Sequence, residues 1–344
     1  MSKIKDIPKV VLPPIQSCEE LLNKTLPLPP ELVKGLIHKR ELVMVGGGSK
    51  SQKSWALLDL ALSIAHGTSW WGRETVQGRV LYLNFEISEV FFQRRIDAVA
   101  QAKALSRPHR NVDVWNLRGC AADIALLAPG IIEHCANKNY SLLVFDPIYK
   151  LLGGRDENKA GDVAAMLNSI EQISEGIGGA ATAYAQHYTK GNASQKASID
   201  RVSGSGVYAR QPDTIIALTR HKEEGAFVVE PTLRNFAPCK PFVVNWEFPL
   251  FDIDGSGLDR RELERRPGRV AQYTVADVLD CLKNGMTTAK WRENAINGLG
   301  LSERTFRSLK SEAVREGRVE LHDKTWFHTN IVSFKTAVGN SGKK

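Results

Sequence analysis

Apolar residues recur in two alternating patterns between residues 41 and 236. Short runs rich in Val, Ile, Leu and aromatic residues predict buried strands, and longer stretches with helical spacing lie between them. The runs are ELVMV, RVLYLNF, NVDVWNL, SLLVFD, ATAYAQH, TIIALT and FVVEPTL, and the helical stretches include SWALLDLALSIAHG, FFQRRIDAVAQAKAL and VAAMLNSIEQISEG. This alternation predicts an α/β fold with a mainly parallel, twisted sheet, and the closely spaced later strands are expected to add antiparallel partners at one edge.

The rest of the chain divides into further parts. Near the C-terminus, three short helices and two strands are predicted in that order, which favours a winged helix-turn-helix. Its third helix is expected to follow a turn at 298–300 and to be capped by Ser302. The predicted parts are an N-terminal arm (1–34), the α/β domain (35–253), a charged, glycine-punctuated linker (254–272), a winged-helix-like domain (273–332) and a C-terminal tail (333–344).

Composition adds a soluble, globular character to this outline. Hydrophobic residues make up 42% of the chain and charged residues 24%, and no stretch approaches the 18 consecutive apolar residues typical of a membrane span. The first residues lack the apolar run of a signal peptide, so a cytoplasmic location without membrane contact is expected. The five cysteines lack C-x-x-C spacing, which argues against disulfides and against a zinc site.

Positive charge is concentrated near the C-terminus. The net charge is +8, and residues 259–344 hold 17 Lys/Arg against 11 Asp/Glu. Such asymmetry is typical of a protein with a polyanionic partner, most simply nucleic acid. Ordinary surface charge that maintains solubility is the alternative.

The segment MVGGGSKSQKSW, at 44–55, resembles a phosphate-binding loop between a strand and a helix. The pattern G-x-x-x-x-G-K-[ST] is met by Gly47, Lys53 and Ser54, but Gln52 replaces the second glycine. Lys53 is expected to pair with the β- and γ-phosphates of ATP, and Ser54 to ligate Mg²⁺. The alternative is a glycine-rich turn that mimics such a loop. The residues predicted to bind the nucleotide are Gly47, Gly48, Ser49, Lys50, Ser51, Gln52, Lys53, Ser54 and Trp55.

Three other predicted strands end in residues with suitable chemistry. SLLVFD ends at Asp146, which is expected to orient the magnesium ion, and RVLYLNFE ends at Glu86, a candidate general base for the attacking water. ATAYAQH ends at His187, which is either a contact to the γ-phosphate or an ordinary hydrogen-bonded histidine. Because ligands of open parallel sheets bind at the carboxyl ends of the strands, these residues are expected to share one site.

The order of these motifs resembles that of the RecA-like P-loop ATPases. Within them the chain looks most similar to the hexameric replicative helicases of the DnaB and plasmid RepA type, over about residues 30–250. The segments that carry the resemblance are DPIYKLLGGRDENKAGDVAAMLNSIEQIS, QHYTKG, SGSGVYARQPDTIIAL and LRNF. The resemblance implies that Lys53 and Ser54 are the Walker A pair and Asp146 the Walker B aspartate. It also implies that Glu86 is the catalytic glutamate, and Arg95 matches an arginine nine residues after it.

The same resemblance implies an oligomer. These ATPases complete each site with an arginine finger from the neighbouring subunit, which stabilises charge on the transferred phosphoryl group. Arg234 matches that position best, and Arg210 is the alternative. A homo-oligomer, most simply a hexameric ring, would then be the active form.

Two polar loops and the C-terminal module are candidates for DNA binding. In RecA-like rings the loops after the Asp146 and His187 strands line the central channel and grip single-stranded DNA; here they are alternatively solvent loops. Their basic residues are Lys150, Arg155, Lys159, Lys190, Lys196 and Arg201. In the winged-helix-like module, which would bind either duplex DNA or another protein, the candidates are Arg304, Arg307, Lys310 and Lys324.

Three functions fit the sequence. The first is an ATP-dependent oligomeric DNA motor, most simply a replicative helicase of a phage, plasmid or other mobile element. The second is a DNA-binding regulatory ATPase that uses ATP as an assembly switch without unwinding. The third is a nucleotide-binding scaffold with little hydrolysis, which Gln52 leaves open; Glu86 and a candidate arginine finger favour turnover.

Overall fold

The computed structural model of the protein describes residues 14–120, 123–188, 205–264, 273–283 and 285–329. The chain forms two compact units, Met1–Arg265 and Arg266–Lys344. The first unit contains the nucleotide-site candidates, and the second contains the predicted winged-helix-like module.

The first unit is built around a nine-stranded sheet. Its helices are α1 (Cys18–Leu22), α2 (Lys53–His66), α3 (Glu89–Ala102), α4 (Ile124–Cys135), α5 (Ala160–Gly176) and α6 (Val207–Arg210), with a 3₁₀ turn at Ile148–Leu151. Its strands are β1 (Glu31–Val33), β2 (Ile37–His38), β3 (Leu42–Gly47), β4 (Arg79–Asn84), β5 (Val112–Asn116), β6 (Tyr140–Asp146), β7 (Ala181–His187), β8 (Thr214–Arg220), β9 (Ala226–Leu233), β10 (Phe242–Glu247) and β11 (Leu250–Ile253). The order across the large sheet is β11-β10-β9-β8-β3-β7-β6-β4-β5, and β1 and β2 form a separate antiparallel pair.

Six neighbouring strands of the large sheet are parallel and the last three are antiparallel. β8, β3, β7, β6, β4 and β5 all run in one direction. β9 is antiparallel to β8, β10 to β9 and β11 to β10. The predicted α/β class, with a mainly parallel sheet and antiparallel strands at one edge, is therefore confirmed. It is consistent with a RecA-like P-loop core.

The central strands are apolar throughout because both faces of the sheet are covered. Val43 and Val45 pack with α2 and α3 on one face, whereas Leu42 and Met44 pack with α4 and α5 on the other. Strands buried on both sides lose the polar alternation of a half-exposed sheet. This burial explains the unbroken hydrophobic runs in the sequence.

Several elements were not apparent from the sequence. The first 34 residues contain α1 and β1, although they lack a periodic pattern, because both elements are too short to show one. Helix α4 has Pro129 in its interior. Proline disfavours helix interiors, so it masked this element.

Residues 273–283 and 285–329 of the second unit form three helices and a three-stranded antiparallel sheet. The elements are α7 (Val275–Asp280), β12 (Met286–Thr287), α8 (Thr288–Leu299), α9 (Glu303–Arg315), β13 (Val319–His322) and β14 (Thr325–His328), with sheet order β12-β14-β13. Ser302 caps α9, as predicted, because its hydroxyl accepts a hydrogen bond from the Thr305 amide at 3.2 Å. The turn between α8 and α9 is narrower than predicted, since only Gly300 is left-handed and Gly298 lies inside α8.

Candidate active site

The phosphate-loop candidate joins the carboxyl end of β3 to the amino end of α2. Gln52, which replaces the usual glycine, immediately precedes α2 with φ 60° and ψ 25°, in the left-handed region. That backbone conformation costs a non-glycine residue roughly 1–2 kcal/mol. Lys50 is also left-handed, with φ 59°. The loop thus keeps the backbone path for which glycine is usually selected, and Gln52 adopts it under strain.

Replacing Gln52 by glycine is expected to raise the free energy of unfolding by about 1 kcal/mol, because the strain is removed at some cost in chain entropy. Chemical denaturation of the full-length protein measures this change. Gln52→Ala is the matched control: it retains a β-carbon and should give no gain. Equal stability of the glycine and alanine variants would contradict the strain argument.

Two glycines at the end of β3 are required by close contacts. A β-carbon on Gly46 would lie 2.6 Å from Cε1 of Tyr188, and one on Gly47 would lie 2.4 Å from Oγ of Ser51. From the neighbouring strand, Arg220 donates a hydrogen bond to the Lys50 carbonyl at 2.9 Å. The loop is thus packed against β7 and β8.

Lys53 lies inside the loop rather than in solvent. The residue is only 6% exposed, and its amine donates hydrogen bonds to the carbonyl oxygens of Gly47 at 3.0 Å and Gly48 at 2.9 Å. Burial lowers the pKa of Lys53 to about 8, and the charges of Asp146 and Glu86 only partly oppose that effect. The ammonium group is therefore poorly neutralised, which favours its pairing with an incoming phosphate.

The lowered pKa of Lys53 predicts that nucleotide affinity depends on pH. Above about pH 8 the free protein loses the Lys53 proton, so binding of a polyanion must take a proton up again. The apparent affinity for ATP should then fall, approaching tenfold per pH unit. Titration of a fluorescent ATP analogue from about pH 7 to about pH 9.5 tests this. Lys53→Arg, which stays charged over that range, is the control, and equal pH profiles for the two proteins would contradict the prediction.

Asp146, at the end of β6, faces the start of α2. The residue is 4% exposed, and its carboxylate accepts hydrogen bonds from the Tyr82 hydroxyl at 2.7 Å and from the Ser54 side chain. Burial raises the pKa of Asp146 in spite of these donors. Tyr82 was not identified from the sequence, although a tyrosine inside an aliphatic strand needs a polar partner and was a usable signal.

Glu86 lies in the turn between β4 and α3 and is exposed toward the cavity. The turn is organised by Asn84, which is buried at the end of β4. The Asn84 amide oxygen accepts from the Ile87 backbone amide at 3.0 Å, and its nitrogen donates to the Asn116 side chain at 2.9 Å. Asn84, which the sequence did not single out, thus positions the backbone that carries Glu86.

Lys53, Glu86, Asp146 and His187 line one cavity of about 340 Å³ at the carboxyl ends of β3, β4, β6 and β7. Nδ1 of His187 lies 3.3 Å from Nζ of Lys53. Burial, followed by the Lys53 charge, lowers the pKa of His187, so its imidazole is neutral at pH 7. The structure thus brings together the four residues that the strand ends suggested.

A second cavity, of about 500 Å³, adjoins the first and shares Trp55, Glu86, Ile87 and Arg95 with it. The Arg95 guanidinium lies 4.8 Å from the centre of the Trp55 ring. Phe91 and Phe248, with 61% and 71% of their surface exposed, also line this cavity. Aromatic rings and a stacked guanidinium are surfaces that bind flat heterocycles. This cavity has no local signature in the sequence, because its residues come from four distant segments.

The two arginine-finger candidates lie near the amino ends of the parallel strands, opposite the carboxyl ends that form the cavity. β9 ends at Leu233, which pairs with Thr214, and Thr214 in turn is in register with Val43 at the amino end of β3. A six-residue strand such as β3 spans roughly 17 Å. Arg234 donates to Asp213 at 3.0 Å and to the Arg210 carbonyl at 2.7 Å. Neither arginine therefore lines the cavity that contains Lys53 and Glu86 in its own chain.

The candidate DNA contacts in the first unit have different surroundings. Lys150 lies in the 3₁₀ turn after β6, with its amine 5.1 Å from the Tyr149 ring centre, and Lys159 is exposed just before α5. Arg155 forms an ion pair with Asp123, and its side chain is only 24% exposed. Lys190, Lys196 and Arg201 lie outside the described residues.

In the second unit the basic candidates differ in how far other side chains engage them. Arg304 is exposed on α9, but Arg307 is paired with Glu303 at 2.7 Å. The Lys310 amine lies 4.5 Å from the Trp326 ring centre, on the sheet side of α9. Lys324 is in the turn between β13 and β14, with φ 65°. Arg304 and Lys324 are thus more available to a ligand than Arg307 and Lys310.

The residues present fit a magnesium nucleotide. Among the described residues no group of three or more His, Cys, Asp or Glu could hold a metal by itself. The Ser54 hydroxyl and the buried Asp146 carboxylate, which are in hydrogen-bond contact, instead form the incomplete oxygen site that is typical when substrate phosphates supply the other ligands. These two residues would hold the ion.

Comparison with known proteins places the chain in a family. Residues 10–193, more than half of the chain, match the family model described as an AAA domain. The chain belongs to this AAA domain family. The match contains the phosphate loop, Glu86, Asp146 and His187, and it supports an ATPase domain that binds a nucleotide.

The AAA match ends before β8, so it includes neither arginine-finger candidate nor the second unit. No curated protein matches the sequence. Among solved structures, the chain is similar to one described as an ATPase domain, at 12% identity, over 63% of this chain and 86% of that one, with a TM-score of 0.47. No helix in the described part of the AAA protein is long and apolar enough to cross a membrane.

Proposed function

We propose that the protein is an ATP-driven oligomeric motor that acts on DNA, most simply a replicative helicase of a mobile element. The observation that carries this proposal is the separation of the site into two parts. Lys53, Glu86, Asp146 and His187 share one cavity, whereas both arginine-finger candidates lie at the opposite edge of the sheet. Arg234, whose side chain is 52% exposed beside Asp213, is therefore proposed to complete the site of a neighbouring copy.

In the proposed reaction, water attacks the γ-phosphoryl group and ADP leaves. Lys53 binds the phosphates, and Glu86 accepts the proton of the attacking water. Neutral His187, beside Lys53, contacts the γ-phosphoryl oxygens. When Mg²⁺ is bound by Ser54 and Asp146, it neutralises charge on the phosphates. Arg234 of a neighbouring copy stabilises the charge that develops in the transition state.

The base of the nucleotide is proposed to occupy the adjoining aromatic cavity. The two cavities share Trp55, which directly follows Ser54 in the first turn of α2. A triphosphate at Lys53 would therefore place its base near the rings of Trp55 and Phe248. Stacking discriminates little among bases, because every base has a π-face.

DNA is the proposed partner of the ring. Support comes from the positive charge of the chain and from the position of Lys150, which lies in the turn just after the Asp146 strand. A loop adjacent to the γ-phosphate site lets hydrolysis move a bound strand. The second unit, with its order of helices and strands, is proposed to be a winged helix that contacts duplex DNA through Arg304 and Lys324.

A strand-displacement assay tests the motor. Forked DNA is incubated with ATP and the wild-type protein, with Lys53→Ala and Glu86→Gln as inactive controls. We expect only the wild-type protein to displace the DNA strand. ATP hydrolysis without displacement, over a range of forks and salt concentrations, would replace the motor with a regulatory ATPase whose assembly on DNA is switched by ATP.

A further inference from the structure

Three consecutive residues of the loop that carries Arg234 contact residues at the amino ends of the parallel strands. We call residues 234–236 the finger loop. Its first residue, Arg234, is held by Asp213, and its third, Phe236, stacks on His38 with ring centres 4.0 Å apart and planes 8° apart. The loop is therefore held in one orientation rather than only tethered at its ends.

The middle residue of the finger loop, Asn235, is held by a buried carboxylate. Its side-chain nitrogen donates to Oε1 of Glu41 at 3.0 Å, and Glu41 is only 5% exposed. The other Glu41 oxygen accepts from the His38 backbone amide at 3.0 Å and from the Thr214 hydroxyl at 3.4 Å. A buried carboxylate is costly unless donors surround it. The hydrogen bond from Asn235 to this carboxylate fixes the direction of the Asn235 side chain.

Glu41 also lies next to the strand that leads to the phosphate loop. It directly precedes β3, and its carbonyl accepts from the Thr182 amide of β7 at 2.8 Å. Asp213, which holds Arg234, accepts from the Leu42 amide at 3.0 Å. The finger loop and the phosphate loop therefore lie at the two ends of the same strand, β3.

We propose that Glu41, acting through Asn235, is a positioning residue for Arg234. It orients the finger loop so that the guanidinium reaches the nucleotide bound by a second copy of the chain. Glu41 adjoins β3, and β3 ends at the phosphate loop. The same residue therefore connects the nucleotide site of one subunit with the finger loop that acts on the neighbouring subunit. This inference rests on the proposed function, in which Arg234 acts in trans.

The test is Asn235→Ala in the full-length protein. The variant should lower kcat for ATP hydrolysis by about 10- to 100-fold, because a misplaced catalytic group loses rate steeply with distance. KM should stay within about twofold, because the nucleotide is bound by the other copy. Glu41→Gln should also lower kcat. Asn245→Ala is the matched control: it removes a similar hydrogen bond, to Asp254 at 3.2 Å in the β10–β11 hairpin, and should leave kcat unchanged.

A mixing experiment separates positioning from a structural defect. Asn235→Ala chains are mixed with Lys53→Ala chains, which bind nucleotide poorly but have intact finger loops. The mixture should regain ATPase activity above that of either variant alone, since Lys53→Ala chains supply fingers to intact sites. The inference would be overturned if Asn235→Ala lost ATPase activity and the mixture did not restore it. It would also be overturned if Asn235→Ala and Asn245→Ala had equal kcat values.

Arg234→Ala, assayed in parallel, distinguishes this inference from the proposed function. Wild-type activity in Arg234→Ala would overturn the assignment of the finger itself, and with it the inference. If Arg234→Ala is inactive and rescued by Lys53→Ala while Asn235→Ala is fully active, only the positioning role of Glu41 and Asn235 fails.

Discussion

Glu86→Gln is expected to lower the rate of ATP hydrolysis by about 10²- to 10⁴-fold while nucleotide affinity changes by less than about twofold. The glutamine keeps the size of the side chain and its place in the turn that Asn84 organises, but it cannot accept a proton. Because Glu86 is not among the groups that hold Lys53 or Asp146 by hydrogen bonds, binding should survive. Phosphate release measures the rate of hydrolysis, and an equilibrium nucleotide-binding assay measures the affinity.

Glu89→Gln is the control for that substitution. Glu89 lies three residues further on, in the exposed first turn of α3, and does not line the cavity. It should retain wild-type turnover. Equal losses in the two variants would show that charge on this helix, rather than proton transfer at Glu86, controls the rate.

Lys53→Ala is expected to lower ATP affinity by about a hundredfold or more and to abolish measurable hydrolysis. The basis is the burial of a charge that the rest of the site leaves poorly neutralised, since truncating one partner of such a contact costs about 2–5 kcal/mol. Calorimetric titration with a non-hydrolysable analogue measures the affinity.

Lys50→Ala provides the comparison within the same loop. Lys50 is exposed, so water screens its charge, and the expected loss of affinity is at most about tenfold. If the two lysines have equal effects, the loop attracts phosphate by general charge and Lys53 has no special role.

The phosphate loop and its partners could be identified from the sequence because each is a local pattern. A buried strand that ends in Asp146 or Glu86 is visible in a few consecutive residues, and the parallel sheet brings such ends together. For the same reason the mainly parallel core was predictable. The strain at Gln52 followed from the glycine that it replaces.

Other parts of the site depend on contacts between distant segments. Tyr82 meets Asp146 across 64 residues, and Trp55 approaches Phe248 only because the β10–β11 hairpin folds back. The charges of Arg155 and Lys310 look available in the sequence, but Asp123 and Trp326 engage them in the fold. A list of basic residues therefore overstates the surface open to DNA.

The most direct test of the account is ATP hydrolysis by the wild-type protein, measured with and without single-stranded DNA. We expect magnesium-dependent hydrolysis that single-stranded DNA accelerates, with a specific activity that rises with protein concentration as neighbouring copies complete each other's sites. Absence of ATP binding, or hydrolysis by isolated monomers at a rate independent of both DNA and protein concentration, would contradict it.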